Sequence, residues 1–295
     1  MRKPVRAVVG ILSVLICLQV SSGRQAGTPA AAPFAARPSP GPRPNPDFGR
    51  LPLQFIPNEG QVRGPADFSV QGKARTVYFA AEGLTFVLGG AGEAGPGSPD
   101  AARWVVKLDF VDANPKAAPV SLERSGTIVS YFLGEPADWR PGIAASSRII
   151  YRDLWPGIDL VYSGTMDRMK HEFIVHPGAD PSQIRLAYRG AESVELTPAG
   201  RLVVATPVDV FEDDVPSAWQ DVDGVRTGVT ASYALGDLEQ AGMSPARIYG
   251  FELGDYDKGL TLVLDPRSSS TAAISAAWAG MKGRRSRSMA RGTLM

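Results

Sequence analysis

Cysteine and histidine are scarce in this sequence of 295 residues, which contains one cysteine, Cys17, and two histidines, His171 and His176. We expect Cys17 to be removed with the N-terminal segment, so the remaining chain has no cysteine for a disulfide or a thiolate nucleophile. His171-Glu172 begins the zinc motif H-E-x-x-H, but no second histidine follows at the required spacing. The sequence therefore predicts no metal site, no cofactor site and no histidine-based catalytic residue.

Net charge is also nearly absent, because 31 Lys and Arg residues face 30 Asp and Glu residues and leave a formal charge of +1. A near-neutral body argues against a protein that binds polyelectrolytes through its whole surface. The sequence contains neither the G-x-S-x-G motif of serine hydrolases nor a glycine-rich phosphate loop or dinucleotide fingerprint. We predict from these absences that the protein is not an enzyme.

The N-terminus has the order of a secretory signal peptide. Met1 to Arg6 is positively charged, Ala7 to Val20 is apolar, and Ser21, Ser22 and Gly23 are small residues near a cleavage point. The apolar run is shorter than the about 20 residues of a membrane-spanning helix. We expect residues 1–23 to be a signal peptide, with an uncleaved anchor as the alternative. The mature protein would then be secreted or in the cell envelope, and not an integral membrane protein.

Residues 24–46 are rich in Pro, Ala and Gly and too poor in large apolar residues to form a core. We predict a disordered linker there and an all-β unit from 47 to 266, built like a β-sandwich as one unit or as two packed lobes. Period-two alternation of apolar and polar residues supports the strands. The predicted strands are Thr76–Ala81, Leu84–Leu88, Val106–Phe110, Ile128–Leu133, Ser147–Tyr151, Ile158–Tyr162, Lys170–Val175, Ile184–Tyr188, Ser193–Leu196, Leu202–Ala205, Thr230–Leu235, Ile248–Leu253 and Leu260–Leu264.

Short loops separate these strands. Glu82-Gly83 predicts a tight turn, and Asp221-Val-Asp223-Gly224 predicts a hairpin turn rather than a calcium loop, because no spaced acidic residue follows it. Gly89 to Pro99 is predicted to be a surface loop.

Several segments together resemble one known family. They are Leu53–Gln61 (LQFIPNEGQ), Tyr131–Gly134 (YFLG) with Trp139-Arg140, Tyr151–Tyr162 (YRDLWPGIDLVY), His176–Pro181 (HPGADP) and Ile184–Leu186 (IRL). The combination resembles the domain of unknown function that precedes SBBP (beta-propeller) repeats in bacterial proteins. The resemblance implies a bacterial envelope or extracellular protein, followed by a propeller, with no established catalytic activity.

His171 departs from that family pattern, which usually has an aromatic residue at this point of the strand. Met169, His171, Phe173 and Val175 occupy alternate positions. We therefore predict that His171 packs on the inner face of the sheet.

The last stretch, residues 267–295, differs in composition from the rest of the chain. It contains no Asp or Glu, and five basic residues cluster after a run of Ser and Ala. When the free third codon bases are used to shift the reading frame, the tail becomes compatible with SBBP-like sequence such as Gly-Asn-Ala-Tyr at 292–295. We hypothesise that the frame slips near Pro266 or Arg267, so that the propeller is missing. The alternative is a genuine disordered basic arm that binds nucleic acid.

Four residues are candidates for a ligand surface: Trp139, Asp153, Trp155 and Asp159. Asp153 and Asp159 flank the Trp155-Pro156-Gly157 turn, where they would act as the two carboxyl groups of a glycosidase or simply accept hydrogen bonds from turn amides. Tryptophan rings stack on sugars when they are exposed, but in an all-β fold they also serve as core residues.

The leading functional prediction is a secreted, non-catalytic bacterial envelope module with an adhesion, scaffolding or assembly role, whose partner is an extracellular or cell-surface protein or glycan. The alternative is an exported carbohydrate-active enzyme or carbohydrate-binding module. Nucleic acid is expected as a partner only if the basic tail is genuine.

Overall fold

Alternating apolar and polar residues favour extended strands, and a computed structural model of the chain contains three antiparallel β-sheets. The structure describes residues 51–72, 75–89, 103–166, 168–241 and 244–266. The predicted signal peptide, linker and basic tail lie outside these residues, as does most of the predicted loop at 89–99. The all-β prediction is confirmed for the described chain.

The largest sheet has eight strands. In spatial order they are β1 (Ile56–Pro57), β2 (Phe68–Gln71), β3 (Arg75–Ala80), β4 (Gly83–Gly89), β5 (Arg103–Phe110), β10 (Leu186–Arg189), β17 (Ser244–Leu253) and β16 (Ala231–Ala241).

A second sheet has seven strands and a third has three. The seven are β15 (Val225–Val229), β14 (Ser217–Val222), β18 (Leu262–Asp265), β9 (Arg168–Val175), β8 (Ile158–Thr165), β7 (Arg140–Trp155) and β6 (Val120–Tyr131); the three are β11 (Ser193–Leu196), β12 (Leu202–Ala205) and β13 (Val210–Asp213).

Helix is limited, in the described ranges, to two short 3₁₀ turns at Pro136–Asp138 and Pro181–Gln183. No helix in this part of the chain is long and apolar enough to cross a membrane.

The two large sheets pack face to face through aromatic side chains. Phe79 of β3 meets Tyr162 of β8 with ring centroids 5.2 Å apart, and Phe173 of β9 meets Phe251 of β17 at 5.5 Å. The small sheet joins the same core through Phe211 of β13, which stacks on Phe86 of β4 at 5.7 Å. Burying one such side chain contributes roughly 1.5–3 kcal/mol. A sandwich results in which all three sheets share one main hydrophobic core.

The first described residues connect the two large sheets. The backbone N–H of Leu53 donates to the carbonyl of Gly164, and Phe55 exchanges two hydrogen bonds with Ser146 of β7. The next residue, Ile56, pairs with Ser69 of β2 in the eight-stranded sheet. This segment therefore changes sheets within two residues and places the loop that follows it beside the end of the β6–β7 hairpin.

Residues 128–144, the outer part of the β6–β7 hairpin, form a feature that we call the arm. Its strands pair from Ile128 opposite Ala144 to Tyr131 opposite Arg140. A small separate core of Ile56, Ile143 and Ala145, with Val129 and Tyr131 packed against it, attaches the arm to β1. The end of the arm is therefore held in place without entering the main core.

Candidate functional site

Trp155, one of the four predicted site residues, belongs to the core. Its side chain is 1% exposed. The ring contacts Phe110 with a centroid distance of 6.0 Å, and its Nε1–H donates to the carbonyl of Val111 at 3.0 Å. The indole is hydrogen-bonded and enclosed, so it presents no face on which a sugar ring could stack.

Asp153 and Asp159 hold the turn around Trp155 in shape. One oxygen of Asp159 accepts the backbone N–H of Asp153 at 2.8 Å, and the other lies 3.1 Å from Nε2 of His176. Asp153, whose φ is 47°, accepts the N–H of Gly157 at 3.3 Å. These contacts are those of carboxylates that cap a tight turn. Whether either residue also binds a ligand stays a prediction.

Trp139 lies in a different place from the other three candidates. It immediately precedes β7, whereas Trp155 is the last of the 16 residues of that strand, which correspond to roughly 50 Å of extended chain. Trp139 is 42% exposed, and its ring meets that of Phe132 edge to face at 5.3 Å. Next to it, Leu133 is 70% exposed. The end of the arm thus carries three large apolar side chains at the surface.

Two side chains, those of Asn58 and Gln61, order the loop of residues 58–66, and Gln61 does so by accepting from the N–H of Glu59 and donating to the carbonyl of Pro57. The Nδ2 of Asn58 donates to the carbonyls of Val62 at 3.0 Å and Ala66 at 2.7 Å. Its Oδ1 accepts the N–H groups of Gly60 and Val62. One side chain therefore satisfies four backbone groups, which explains why an asparagine sits at the start of this loop.

Arg140 joins this loop to the arm. Its Nε donates to the carbonyl of Glu59 at 2.8 Å, and its Nη1 donates to the carbonyls of Ala137 and Trp139 at 3.0 and 2.9 Å. Gly60 has a φ of 101°, and a Cβ at this position would come within 3.3 Å of the Arg140 guanidinium. The glycine thus leaves room for the arginine. Two separate sequence motifs, Leu53–Gln61 and Tyr131–Arg140, meet here.

A groove of about 500 Å³ lies between the loop, the arm and the outer face of β2, β3 and β4. Its polar lining residues are Gln61, Arg63, Gln71, Tyr78, Thr85 and Tyr131. Gln71 donates to the Tyr131 hydroxyl at 3.0 Å. Burial raises the pKa of Tyr131 above its ordinary value, so its phenol remains protonated and able to donate. Leu133 of the arm extends the groove toward the exposed apolar end.

Sequence reasoning selected no residue of this groove as a ligand candidate, although Gln61, Tyr131 and Leu133 lie in the family motifs. The signal was present in the motif at Asn58 to Gln61, whose Asn and Gly are turn residues, but the partner strands come from distant parts of the chain. Only the arrangement in space shows that Gln71, Tyr78 and Tyr131 share one surface.

His171 packs on the inner face of β9, as predicted. Its ring stacks on Tyr162 with centroids 5.7 Å apart and lies edge to face with Phe173. Burial lowers its pKa from 6.5 to about 4. Among the described residues, no group of three His, Cys, Asp or Glu side chains is arranged to hold a metal ion.

Comparison with known proteins gives one match. Residues 55–267 fit the family model described as Domain of unknown function (DUF7948). No curated protein and no solved structure matches the chain. The matched range contains the arm, the groove and the Trp155 turn, and it ends at the residue where the basic tail begins.

Proposed function

Since the chain belongs to the DUF7948 family of domains of unknown function, we propose that it is a non-catalytic binding module of an exported bacterial envelope protein. The proposal depends on one observation, the exposed apolar end of the arm beside a polar groove. Phe132, Leu133 and Trp139 are 61%, 70% and 42% exposed. Exposed apolar residues gathered in one patch and bordered by polar groups are typical of interaction sites.

Hydrogen bonds and a small core hold the arm and the loop of the proposed binding surface in place. The arm is fixed by Arg140 and by the small core around Ile143, and the loop is fixed by Asn58. A surface whose shape is set before binding loses less conformational entropy when a partner attaches. This organisation supports an adhesion or scaffolding role better than a purely structural spacer.

The export part of the proposal rests on the N-terminal sequence, with its charged start, apolar run and small residues. Fractionation of cells that produce the tagged chain tests it directly. We expect the protein outside the cytoplasm, with an N-terminus near residue 24 by mass spectrometry. An intact Met1 in the cytoplasmic fraction would contradict export.

The finer proposal is that a propeller of SBBP repeats follows the domain in the intact protein. The motif resemblance supports it, and so does the change of composition at residue 267, where the family match also ends. Resequencing the gene across the codons for Asp265 to Met295, and translating the following bases in all frames, tests it. Repeats in another frame are the expected result. A confirmed sequence with no repeats in any frame would overturn the propeller.

The binding role is tested by cosedimentation of the purified chain with cell-envelope fragments of the source bacterium. A variant with Phe132→Ser, Leu133→Ser and Trp139→Ala should lose sedimentation. Arg152→Gln, a change of an exposed residue near the other end of β7, serves as the control. Equal sedimentation of the arm variant and the parent would refute a binding role for the arm.

Carbohydrate binding is a second candidate because Trp139 is exposed on the arm. Its ring and that of Phe132 offer aromatic surface at one point. Aromatic faces stack on the apolar faces of sugar rings, whereas the enclosed indole of Trp155 offers no such face.

A further inference from the structure

The groove beside the arm has a lining that selects for a particular ligand chemistry. The Gln71 amide keeps its oxygen and one N–H beyond its hydrogen bond to Tyr131, and the phenol groups of Tyr78 and Tyr131 can donate and accept hydrogen bonds. The Gln61 amide is engaged with the backbone of Glu59 and Pro57. Side chains that donate and accept hydrogen bonds suit sugar hydroxyl groups, which also donate and accept them. The tyrosine rings and Leu133 add apolar surface of the kind that the C–H faces of sugar rings contact.

The floor of the groove favours recognition by side chains rather than by backbone. It is the outer face of β2, β3 and β4, and these strands are already hydrogen-bonded to one another along their lengths. Tyr78 and Thr85 point out of this face because they alternate with buried residues such as Phe79 and Phe86. An extended peptide that binds by strand addition needs a free backbone edge. The strands that carry Tyr78 and Thr85, β3 and β4, are paired on both sides and offer none.

The charge of the lining is positive. Arg63 is its one charged residue among those described, and no Asp or Glu side chain lines the groove there. Arg63 is exposed, and it forms no ion pair with the residues that the structure describes. An exposed guanidinium of this kind can bind a carboxylate through two parallel hydrogen bonds.

We propose that this groove binds an acidic saccharide. The sugar rings lie against Tyr78, Tyr131 and Leu133, the hydroxyl groups bond to the Gln71 amide and the tyrosine hydroxyls, and a carboxylate binds Arg63. This assignment rests on the proposed binding function and names the class of ligand that the same surface takes.

Calorimetric titration of the full chain with three probes tests the assignment. The probes are a short oligogalacturonate, the same oligomer with its carboxyl groups reduced to alcohols, and a polyglutamate peptide of similar charge. We expect the acidic saccharide to bind about tenfold more tightly than the reduced one, as one charge-assisted hydrogen-bonded contact allows. Added salt should shrink that difference.

Two variants and one control locate the site. Arg63→Gln should remove the preference for the acidic saccharide, so that both saccharides bind alike. Tyr78→Ala should weaken both saccharides about tenfold, because it removes stacking surface without touching the charge. Arg152→Gln removes an equal charge outside the groove and should bind like the parent.

Three outcomes would overturn the assignment. They are no binding of either saccharide, unchanged preference in Arg63→Gln, and polyglutamate binding as tight as the acidic saccharide. If the saccharides fail to bind but cosedimentation with envelope fragments still depends on the arm, then the ligand class is wrong and the proposed binding function stands. If both fail, the binding function is wrong as well.

Discussion

The arm lies at the start of β7 and the Trp155 turn at its end. Both are rich in aromatic residues, yet the fold buries those of the turn and exposes those of the arm. Trp155 is 1% exposed and its indole N–H donates a hydrogen bond. The carboxylates of Asp153 and Asp159 accept hydrogen bonds from backbone amides. At the other end of β7, Trp139, Phe132 and Leu133 face solvent, and the polar contacts around them belong to Arg140. Satisfied polar groups and enclosed rings stabilise a fold, whereas exposed apolar side chains on a fixed framework remain free to bind.

The largest effect that would separate the two regions is a loss of stability. Trp155→Ala removes a fully enclosed side chain and should lower the free energy of unfolding by about 3–5 kcal/mol. Trp139→Ala removes one that is already half solvated and should cost less than about 1 kcal/mol. Urea unfolding followed by far-UV circular dichroism measures both. Similar losses in the two variants would contradict the comparison.

A pH effect of about 3 kcal/mol should come from His171 within the core. Its pKa is lowered by burial to about 4, compared with 6.5 when unfolded, so the unfolded chain binds the extra proton first as the pH falls. Stability is therefore complete above pH 6.5 and decreases between pH 6.5 and 4, at about 1.4 kcal/mol for each unit of separation. His171→Phe keeps an aromatic ring and removes this proton linkage. Unfolding free energies at pH 7.5 and 4 should differ less in the variant than in the parent. Equal pH dependence in both would show that His171 is not buried as a neutral ring.

A smaller effect is expected where the arm meets the loop. Arg140→Ala removes three hydrogen bonds to backbone carbonyls and should cost about 1–2 kcal/mol. The loss should be local, with faster hydrogen exchange at the amides of Gly60 and Val62, which depend on the loop around Asn58. Arg152→Ala, at an exposed position, provides the matched control and should change neither quantity. Unchanged exchange in Arg140→Ala would mean that the arm does not order the loop.

The smallest effect on stability is expected at the end of the arm. The double variant Phe132→Ser and Leu133→Ser changes exposed side chains and should alter the free energy of unfolding by no more than about 0.5 kcal/mol. Loss of envelope binding together with unchanged stability would separate the two roles of the aromatic residues. A large loss of stability would instead place Phe132 and Leu133 in the supporting framework of the arm.

Most strands with a clear alternation of apolar and polar residues were predicted from the sequence, but β2, β13 and β14 were missed although each buries part of its length. Val106, Leu108 and Phe110 alternate with polar residues and lie in β5 as expected. The first half of β6 and the whole of β15 were missed, because Val120 to Arg124 and Val225 to Gly228 are exposed and carry no alternating burial. The turn between β14 and β15 was predicted from the residues Asp221 to Gly224. Asp223 and Gly224 there have the positive φ values that such a hairpin requires.

The candidate site was predicted only in part. Trp139 was selected for its residue type, and it lies at the surface, on the arm beside the groove. Asp153 and Asp159 were recognised as turn residues, but their hydrogen bonds to the amides of Asp153 and Gly157 depend on the fold of the turn. Gln71 and Tyr131 are separated by 60 positions and share one hydrogen bond, so a local pattern in the sequence cannot show that they meet.

Hydrogen-exchange mass spectrometry with and without envelope fragments tests most directly whether the arm and its groove are the binding surface. We expect slower exchange in peptides that cover residues 58–66 and 131–140 when the fragments are present, with no change around Trp155. Protection at residues 153–159 or in the β14–β15 hairpin, with none at the arm, would contradict this expectation.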